Sequence, residues 1–151
     1  MTYCVGLKIN KGLVFMSDTR TNSGIDNIST FQKMHTWSKE GDRVITLLNA
    51  GNLATTQLVI SLLDERSKAP NDRSPSIFEA QSMFQVAQLV GETLREVIET
   101  ASPQGELADS NFTATLILGG QISTGKPSLF LIYPEGNFIE ASTDTPFFQS
   151  G

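Results

Sequence analysis

The sequence predicts an α+β fold in which antiparallel sheets pack on each other and a helix pair covers one outer face. Three observations carry that prediction. Apolar residues recur with period two over the first 50 or so residues, with helical spacing through the middle, and with period two again after about residue 111. Strands, helices and strands thus follow in blocks rather than alternating, which argues against βαβ units. The chain has 151 residues, 39% of them hydrophobic, and its 12 glycines bring the apolar share to roughly 47%, ordinary for a globular domain. Length and composition together predict one domain spanning 1–151.

Tyr3, Val5, Leu7 and Ile9 alternate with Cys4, Gly6 and Lys8, the pattern of a strand with one buried face. Asn10-Lys11-Gly12 is a turn, and the continuous run Leu13-Val14-Phe15-Met16 predicts a partner strand covered on both faces. From Asp18 to Ser29 the Asp, Asn, Thr, Ser and Gly side chains compete for backbone hydrogen bonds, so a loop is expected. Phe31 to Trp37 and Arg43 to Leu48 flank the turn Lys39-Glu40-Gly41-Asp42 as a second hairpin. A helix is predicted from about Asn52 to Ser67, with Asn52 as cap and Leu58, Val59, Leu62 and Leu63 on one face, before Pro70. Ala69 to Pro75 is a polar link. The second helix carries Met83, Val86, Ala87, Leu89, Val90, Leu94, Val97 and Ile98 at helical spacing and ends near Ala101, ahead of Pro103. Ser82 with Gln85 competes with Ser76 and Glu79 as its capping box. After a loop from Ser102 to Ser110, Asn111 to Leu118 is a strand with Phe112, Ala114, Leu116 and Leu118 on one side. Ser128 to Tyr133 and Asn137 to Ala141 flank the turn Pro134-Glu135-Gly136 as a third hairpin. Thr143 to Gly151 shows no closing element, so the second sheet's outer face awaits cover from helices beyond Gly151 or from a neighbouring subunit.

Charge and cysteine usage exclude several functions. A net charge of −5 disfavours any sequence-independent grip on nucleic-acid phosphates. Cys4 is the single cysteine and His35 the single histidine, which excludes a structural zinc site and points to a reducing, cytoplasmic setting. No apolar run approaches the ~20 residues of a membrane span, and the first residues lack the pattern of an export signal. Gly120 to Lys126 spells most of a phosphate-binding loop, but Pro127 stands where a magnesium-binding hydroxyl belongs and a strand follows, so it reads as a hairpin loop.

Chemistry is suggested at the amino end. Thr2 follows Met1, and a small residue there permits removal of the methionine. An N-terminal threonine combines a hydroxyl nucleophile with an α-amine whose pKa near ~8 suits a general base. Many inert termini begin the same way, so its companions matter. Asp18 ends the second strand, and in an antiparallel hairpin that end returns beside the beginning of the first, close to Thr2. Lys33 lies early in the next strand and would lower the cost of proton transfer electrostatically. Asn49-Ala50-Gly51-Asn52 joins a strand to a helix, where backbone N–H groups could hold an oxyanion.

The set Met1-Thr2-Tyr3-Cys4-Val5-Gly6, Met16-Ser17-Asp18-Thr19-Arg20-Thr21, Phe31-Gln32-Lys33-Met34, Ala50-Gly51-Asn52 and Leu118-Gly119-Gly120 resembles the proteasome β-subunit family. Within it, the similarity points to the bacterial ancestral β-subunit (Anbu) group and covers Thr2 to Gly151. That resemblance implies an N-terminal nucleophile hydrolase with a four-layer αββα sandwich of antiparallel sheets, incomplete at the carboxyl end. It implies Thr2 as nucleophile and, through its freed amine, base, with Asp18 and Lys33 as electrostatic partners, Gly51 as an oxyanion donor and Ser150 supporting the amine. Thr21 and Asn22 match the substrate-lining loop, and Phe31, His35 and Leu53 the first specificity pocket. The implied substrate is a peptide or protein, the implied assembly a homo-oligomeric ring or open helix, and no cofactor is implied. Family members are longer, the remainder supplying further helices plus an aspartate and a serine near the threonine. The rival reading is a non-catalytic scaffold subunit built on the same sandwich, which the joint presence of Thr2, Asp18 and Lys33 disfavours.

Overall fold

The computed structural model describes residues 2–22, 28–68, 76–101 and 110–151. Met1, the polar link 69–75, the tip of the first loop (23–27) and nearly all of the loop before the last strands (102–109) lie outside the described residues. The chain is mixed α+β, with helices segregated from strands as the block pattern predicts. Strands β1 (Cys4–Ile9) and β2 (Gly12–Ser17) form the first hairpin, and β10 (Phe147–Ser150) pairs antiparallel with the other edge of β1. A five-stranded antiparallel sheet runs in order through β5 (Met34–Lys39), β6 (Arg43–Gly51), β7 (Ala114–Ile122), β8 (Ser128–Ile132) and β9 (Phe138–Glu140). Helices α1 (Leu53–Arg66) and α2 (Met83–Ala101) cover one of its faces. The two sheets pack through the other face.

Two cores result. Ile45 and Leu47 of β6, with Leu116 and Leu118 of β7, meet Val59, Leu63, Val86, Val90 and Leu94 of the helices. Cys4, Leu48, Ile117, Leu129 and Phe148 meet between the sheets. Each fully buried Leu or Ile in these layers contributes on the order of 1.5–3 kcal/mol against the entropy of ordering the chain. Asn52 caps α1 by accepting from the Thr55 N–H at 3.0 Å, and Ser82 caps α2 by accepting from the Gln85 N–H at 3.2 Å. Ser76 instead closes a separate turn by accepting from the Phe78 N–H, which settles the competition for the start of α2.

Several sequence expectations are corrected. The buried face of β1 is Cys4 and Gly6, whereas Tyr3 and Ile9 are about half exposed. Period two defines two faces without saying which is inner, and here close packing decides: a Cβ on Gly6 would stand 2.9 Å from both Ile117 and Leu129. Along β2, Val14 and Met16 point outward and are exposed, so that strand is covered on one face in this chain. The expected loop from Asp18 to Ser29 contains a short ribbon, β3 (Arg20–Asn22) with β4 (Ile28–Thr30). Phe31 to Lys33 precede β5 rather than opening it, and β7 begins after a 3-10 turn at Ser110–Phe112 and continues through Ile122. The stretch resembling a phosphate loop is thus strand end and hairpin turn. Leu58 is exposed on α1, whose buried row is Thr55, Thr56, Val59, Ile60 and Leu63. The stretch from Thr143 to Gly151, expected to hold no closing element, contains β10: Phe147 to Ser150 lie opposite Leu7 to Cys4.

Candidate active site

The first hairpin brings its two ends together as antiparallel geometry requires. The Tyr3 N–H donates to Asp18 Oδ1 at 2.8 Å, the Asp18 N–H donates to the Tyr3 carbonyl at 3.0 Å, and the Arg20 N–H donates to Asp18 Oδ2 at 3.0 Å. Asp18 is thereby fixed beside Thr2 by backbone alone. Lys33 reaches the same point from the segment before β5, where its carbonyl accepts from the Asn49 N–H at 2.9 Å. Its ammonium donates to Thr2 Oγ1 at 3.1 Å, to both Asp18 carboxylate oxygens at 2.9 Å, and to the Arg20 carbonyl. The lysine side chain is 5% exposed and the aspartate's 32%. Burial pushes the Asp18 carboxyl upward, but the hydrogen bonds from Lys33, Tyr3 and Arg20 and the charge of Lys33 outweigh it and lower its pKa to about 2. A carboxylate that stays ionised keeps the ammonium in place, and the ammonium holds the threonine hydroxyl.

Cys4, next along the chain from Tyr3, is a different kind of group. Burial raises its thiol to about 11, the Lys33 charge pulling the other way and Asp18 adding to the rise. The thiol donates across the sheets to the Asn49 carbonyl at 3.4 Å. It is a packed, protonated side chain rather than a nucleophile.

Gly51 ends β6 with φ +121, and a Cβ there would lie 2.6 Å from the Thr113 carbonyl oxygen, so both conformation and space demand glycine. The adjoining Asn52 ties the turn to the start of β7, its N–H donating to the Thr113 carbonyl and its amide to the Asn111 carbonyl. Ser150 lies on β10 opposite Cys4, and among the described residues no hydrogen bond joins it to Thr2. The neighbouring Gly151 backbone does touch Thr2: a Cβ on Gly151 would stand 1.7 Å from the Thr2 carbonyl oxygen. Thr21 and Asn22 form β3, beside the site through Arg20.

Phe31, His35 and Leu53 come together. They line one cavity of about 370 Å³ between the segment before β5, the end of β6 and the first turns of α1. Burial lowers the His35 imidazole's pKa, against the opposing pulls of a hydrogen bond with the Gln32 backbone and of Asp64, so the ring is neutral at pH 7. The other six residues that line this cavity, Asn49 and Gln57 among them, are absent from the sequence assignment of the pocket. The signal for Asn49 is present in the sequence: Ile45, Leu47 and Asn49 occupy successive positions on one face of β6, and the third is polar where two buried hydrocarbons precede it.

Solved structures of similar architecture exist. Anbu (ancestral beta-subunit) from Yersinia bercovieri is 47% identical with a TM-score of 0.90 over 99% of this chain and 60% of that one. A Gly-1 mutant of Anbu from Hyphomicrobium sp. strain MC1 is 46% identical with a TM-score of 0.87, covering 100% of this chain and 60% of its own. A helical assembly of the Anbu complex from Pseudomonas aeruginosa is 43% identical with a TM-score of 0.87, covering 99% and 60%. The chain therefore spans about 60% of the length of these solved relatives. No protein-family model and no curated protein matches the sequence.

Proposed function

The chain belongs to the Anbu, or ancestral β-subunit, family of proteasome-type proteins, and from that membership and the geometry around Thr2 we propose that it is an N-terminal threonine hydrolase cleaving peptide amide bonds. The observation that carries the reading is the single ammonium of Lys33, hydrogen-bonded at once to the Thr2 hydroxyl and to an ionised Asp18. Such a group stabilises negative charge as it develops on Oγ1.

In the proposed reaction, removal of Met1 frees the Thr2 α-amine. The amine takes the hydroxyl proton as Oγ1 attacks the substrate carbonyl carbon, and the resulting tetrahedral oxyanion is held by the Gly51 N–H. Collapse breaks the C–N bond. The ammonium at Thr2 returns its proton to the leaving amine, which departs and leaves an ester on Oγ1. Water, deprotonated by the same amine, attacks that ester and releases the acid with Thr2 restored. Ser150 supports the amine in this scheme, Thr21 and Asn22 bracket the extended substrate, and Phe31, His35 and Leu53 receive a substrate side chain.

The proposal extends to architecture. The outer face of the β1, β2 and β10 sheet carries exposed Tyr3, Ile9, Val14, Met16 and Phe147. A second helical layer, completing a four-layer αββα domain, would bury them, and the solved relatives have the additional length. The relative from Pseudomonas aeruginosa forms a helical assembly, and a homo-oligomer is proposed here, with a cytoplasmic location. No helix among the described residues is long and apolar enough to cross a membrane.

The test is covalent labelling of the full-length protein with a β-lactone or a peptide epoxyketone, read by intact mass. Labelling at Thr2 that disappears in Thr2→Ala, with assembly unchanged, is the expected result. Labelling that persists in that variant refutes the nucleophile, and a processed wild-type protein that no probe modifies turns the assignment to a scaffold subunit.

A further inference from the structure

The stretch from Gly120 to Lys126, which spells most of a phosphate-binding loop without folding as one, plays no part in the threonine chemistry. Its lysine instead lines a cavity of about 540 Å³ built where three turns meet. The turn between β1 and β2 contributes Lys8 and Lys11, the turn between β7 and β8 contributes Lys126, and the turn ahead of β10 contributes Ser142 and Thr143. Backbone and amide bonds fix all three. The Lys8 N–H donates to the Pro146 carbonyl at 2.7 Å, the Gln121 side chain donates to the Gly125 carbonyl at 2.8 Å, and the Thr145 N–H donates to Ser142 Oγ at 3.2 Å. This is a separate place from the candidate active site. Thr2 precedes the first residue of β1 and the cavity lies at its last, so about 20 Å of extended strand separates them.

The charges on its wall have one sign. Lys8, Lys11 and Lys126 line it and, among the described residues, no Asp or Glu does; Asp144 shares the Ser142–Thr145 turn but is not part of the wall. Nor does any ion pair among the described residues engage the three lysines. A chain of net charge −5 thus gathers three ammonium groups around one concavity, where their fields add. The kind of cation narrows the ligand. Lysines act as point charges rather than as the planar fork with which arginine grips a single carboxylate. Three of them on separate turns suit an anion whose charged oxygens are spread over its length. Ser142, which accepts within its turn, keeps its O–H as a donor, and Thr143 adds another hydroxyl. Both serve a phosphoryl oxygen. The volume exceeds what one phosphate fills and falls in the range of small-molecule sites.

We propose that this cavity is a binding site for a small molecule carrying two or more linked phosphate groups, held by Lys8, Lys11 and Lys126. An inorganic phosphate chain and a nucleoside triphosphate share that chemistry; the second would also lay its organic part on the apolar wall of Ile9, Pro127 and Pro146. The inference is independent of the threonine hydrolase reading.

The test is titration calorimetry of the full-length protein in magnesium-free buffer at constant ionic strength, with tripolyphosphate, ATP and citrate as probes. Tripolyphosphate is expected to bind at least about tenfold more tightly than citrate, which carries comparable charge on carboxylates. The double variant Lys11→Gln, Lys126→Gln should lose at least about tenfold of that affinity, whereas Lys39→Gln, on the hairpin between β5 and β6 and outside this cavity, should lose none. Both variants replace exposed side chains, and an unchanged melting temperature without ligand checks that they fold. ATP binding as tightly as tripolyphosphate or more tightly would support the proposal with a nucleotide as the ligand; tripolyphosphate binding with ATP excluded would support it with a bare phosphate chain. Absence of tripolyphosphate binding, equal binding of citrate, or an affinity that Lys39→Gln lowers as much as the double variant overturns it. Labelling at Thr2 reports on the hydrolase reading by itself and should be the same in the double variant as in the wild type, so the two can fail separately.

Discussion

Replacing Lys33 by methionine keeps the buried stem of the side chain and deletes only its charge, which makes it a direct test of the electrostatics at Thr2. Four acceptors lose their donor: Thr2 Oγ1, both oxygens of Asp18 and the Arg20 carbonyl. Breaking a buried ion pair by removing one partner commonly costs about 3–5 kcal/mol. Here the aspartate keeps the Tyr3 and Arg20 N–H groups at 2.8 and 3.0 Å and is about one-third exposed to water. The loss of stability should therefore be smaller, about 1–2 kcal/mol, or roughly 3–8 °C in melting temperature for a domain of this size. Reactivity should fall further. A preorganised donor to an oxygen that becomes anionic is worth about 10²–10³ in rate. The assay pairs thermal denaturation with the rate of Thr2 acylation by a β-lactone, followed by intact mass on the processed, full-length protein. A folded Lys33→Met variant acylated within about threefold of the wild-type rate would refute the claim that this ammonium activates the threonine.

Three other outcomes follow from the same geometry. Asp18 is held below its ordinary pKa, at about 2, so it stabilises the folded state above the unfolded value near ~3.9 and that contribution drains away as pH falls toward 2; the stability gap between wild type and Asp18→Asn, from denaturant melts, should close over that window, and a gap independent of pH would contradict the assignment. Gly51→Ala forces a side chain to within 2.6 Å of the Thr113 carbonyl at φ +121 and should cost at least about 1–3 kcal/mol in chemical denaturation; an unchanged midpoint would show the turn relaxes freely. Cys4, with its thiol raised to about 11 and its side chain buried, should resist iodoacetamide at pH 8 in the folded protein and react once denaturant unfolds it; rapid alkylation of the native state, seen by mass, would mean the inter-sheet core opens.

Much of the fold was legible because its cues are local. Helix α2 repeats its apolar residues every three or four positions and is capped by its own Ser82, and each hairpin turn carries glycine or asparagine where the chain reverses. The approach of Asp18 to Thr2 was legible too, since a hairpin's strand ends must meet. Other features depend on partners far away in sequence. Which face of β1 turns inward was decided by Ile117 and Leu129 pressing on Gly6, contacts more than a hundred residues distant. The pairing of β10 with β1 joins Ser150 to Cys4 across nearly the whole chain, and four residues after a proline hold too little periodicity to announce a strand.

The candidate site divides along the same line. Residue types and the order Thr2, Asp18, Lys33 stand in the sequence, and with them the expectation of a threonine nucleophile. Only the packed sheets bring the Lys33 ammonium to 3.1 Å from the Thr2 hydroxyl, since that contact links two strands of one sheet to a segment entering the other. The pocket beside it was half legible: Phe31, His35 and Leu53 were named, whereas Asn49 was read as part of a turn. Its position in the chain made it the end of a strand; packing between that strand and α1 placed it in the wall of the cavity. Local sequence sets which atoms can face each other along one strand or helix, but the dielectric, the hydrogen-bond partner and the counter-charge are properties of the surroundings, and those exist only once the layers have closed.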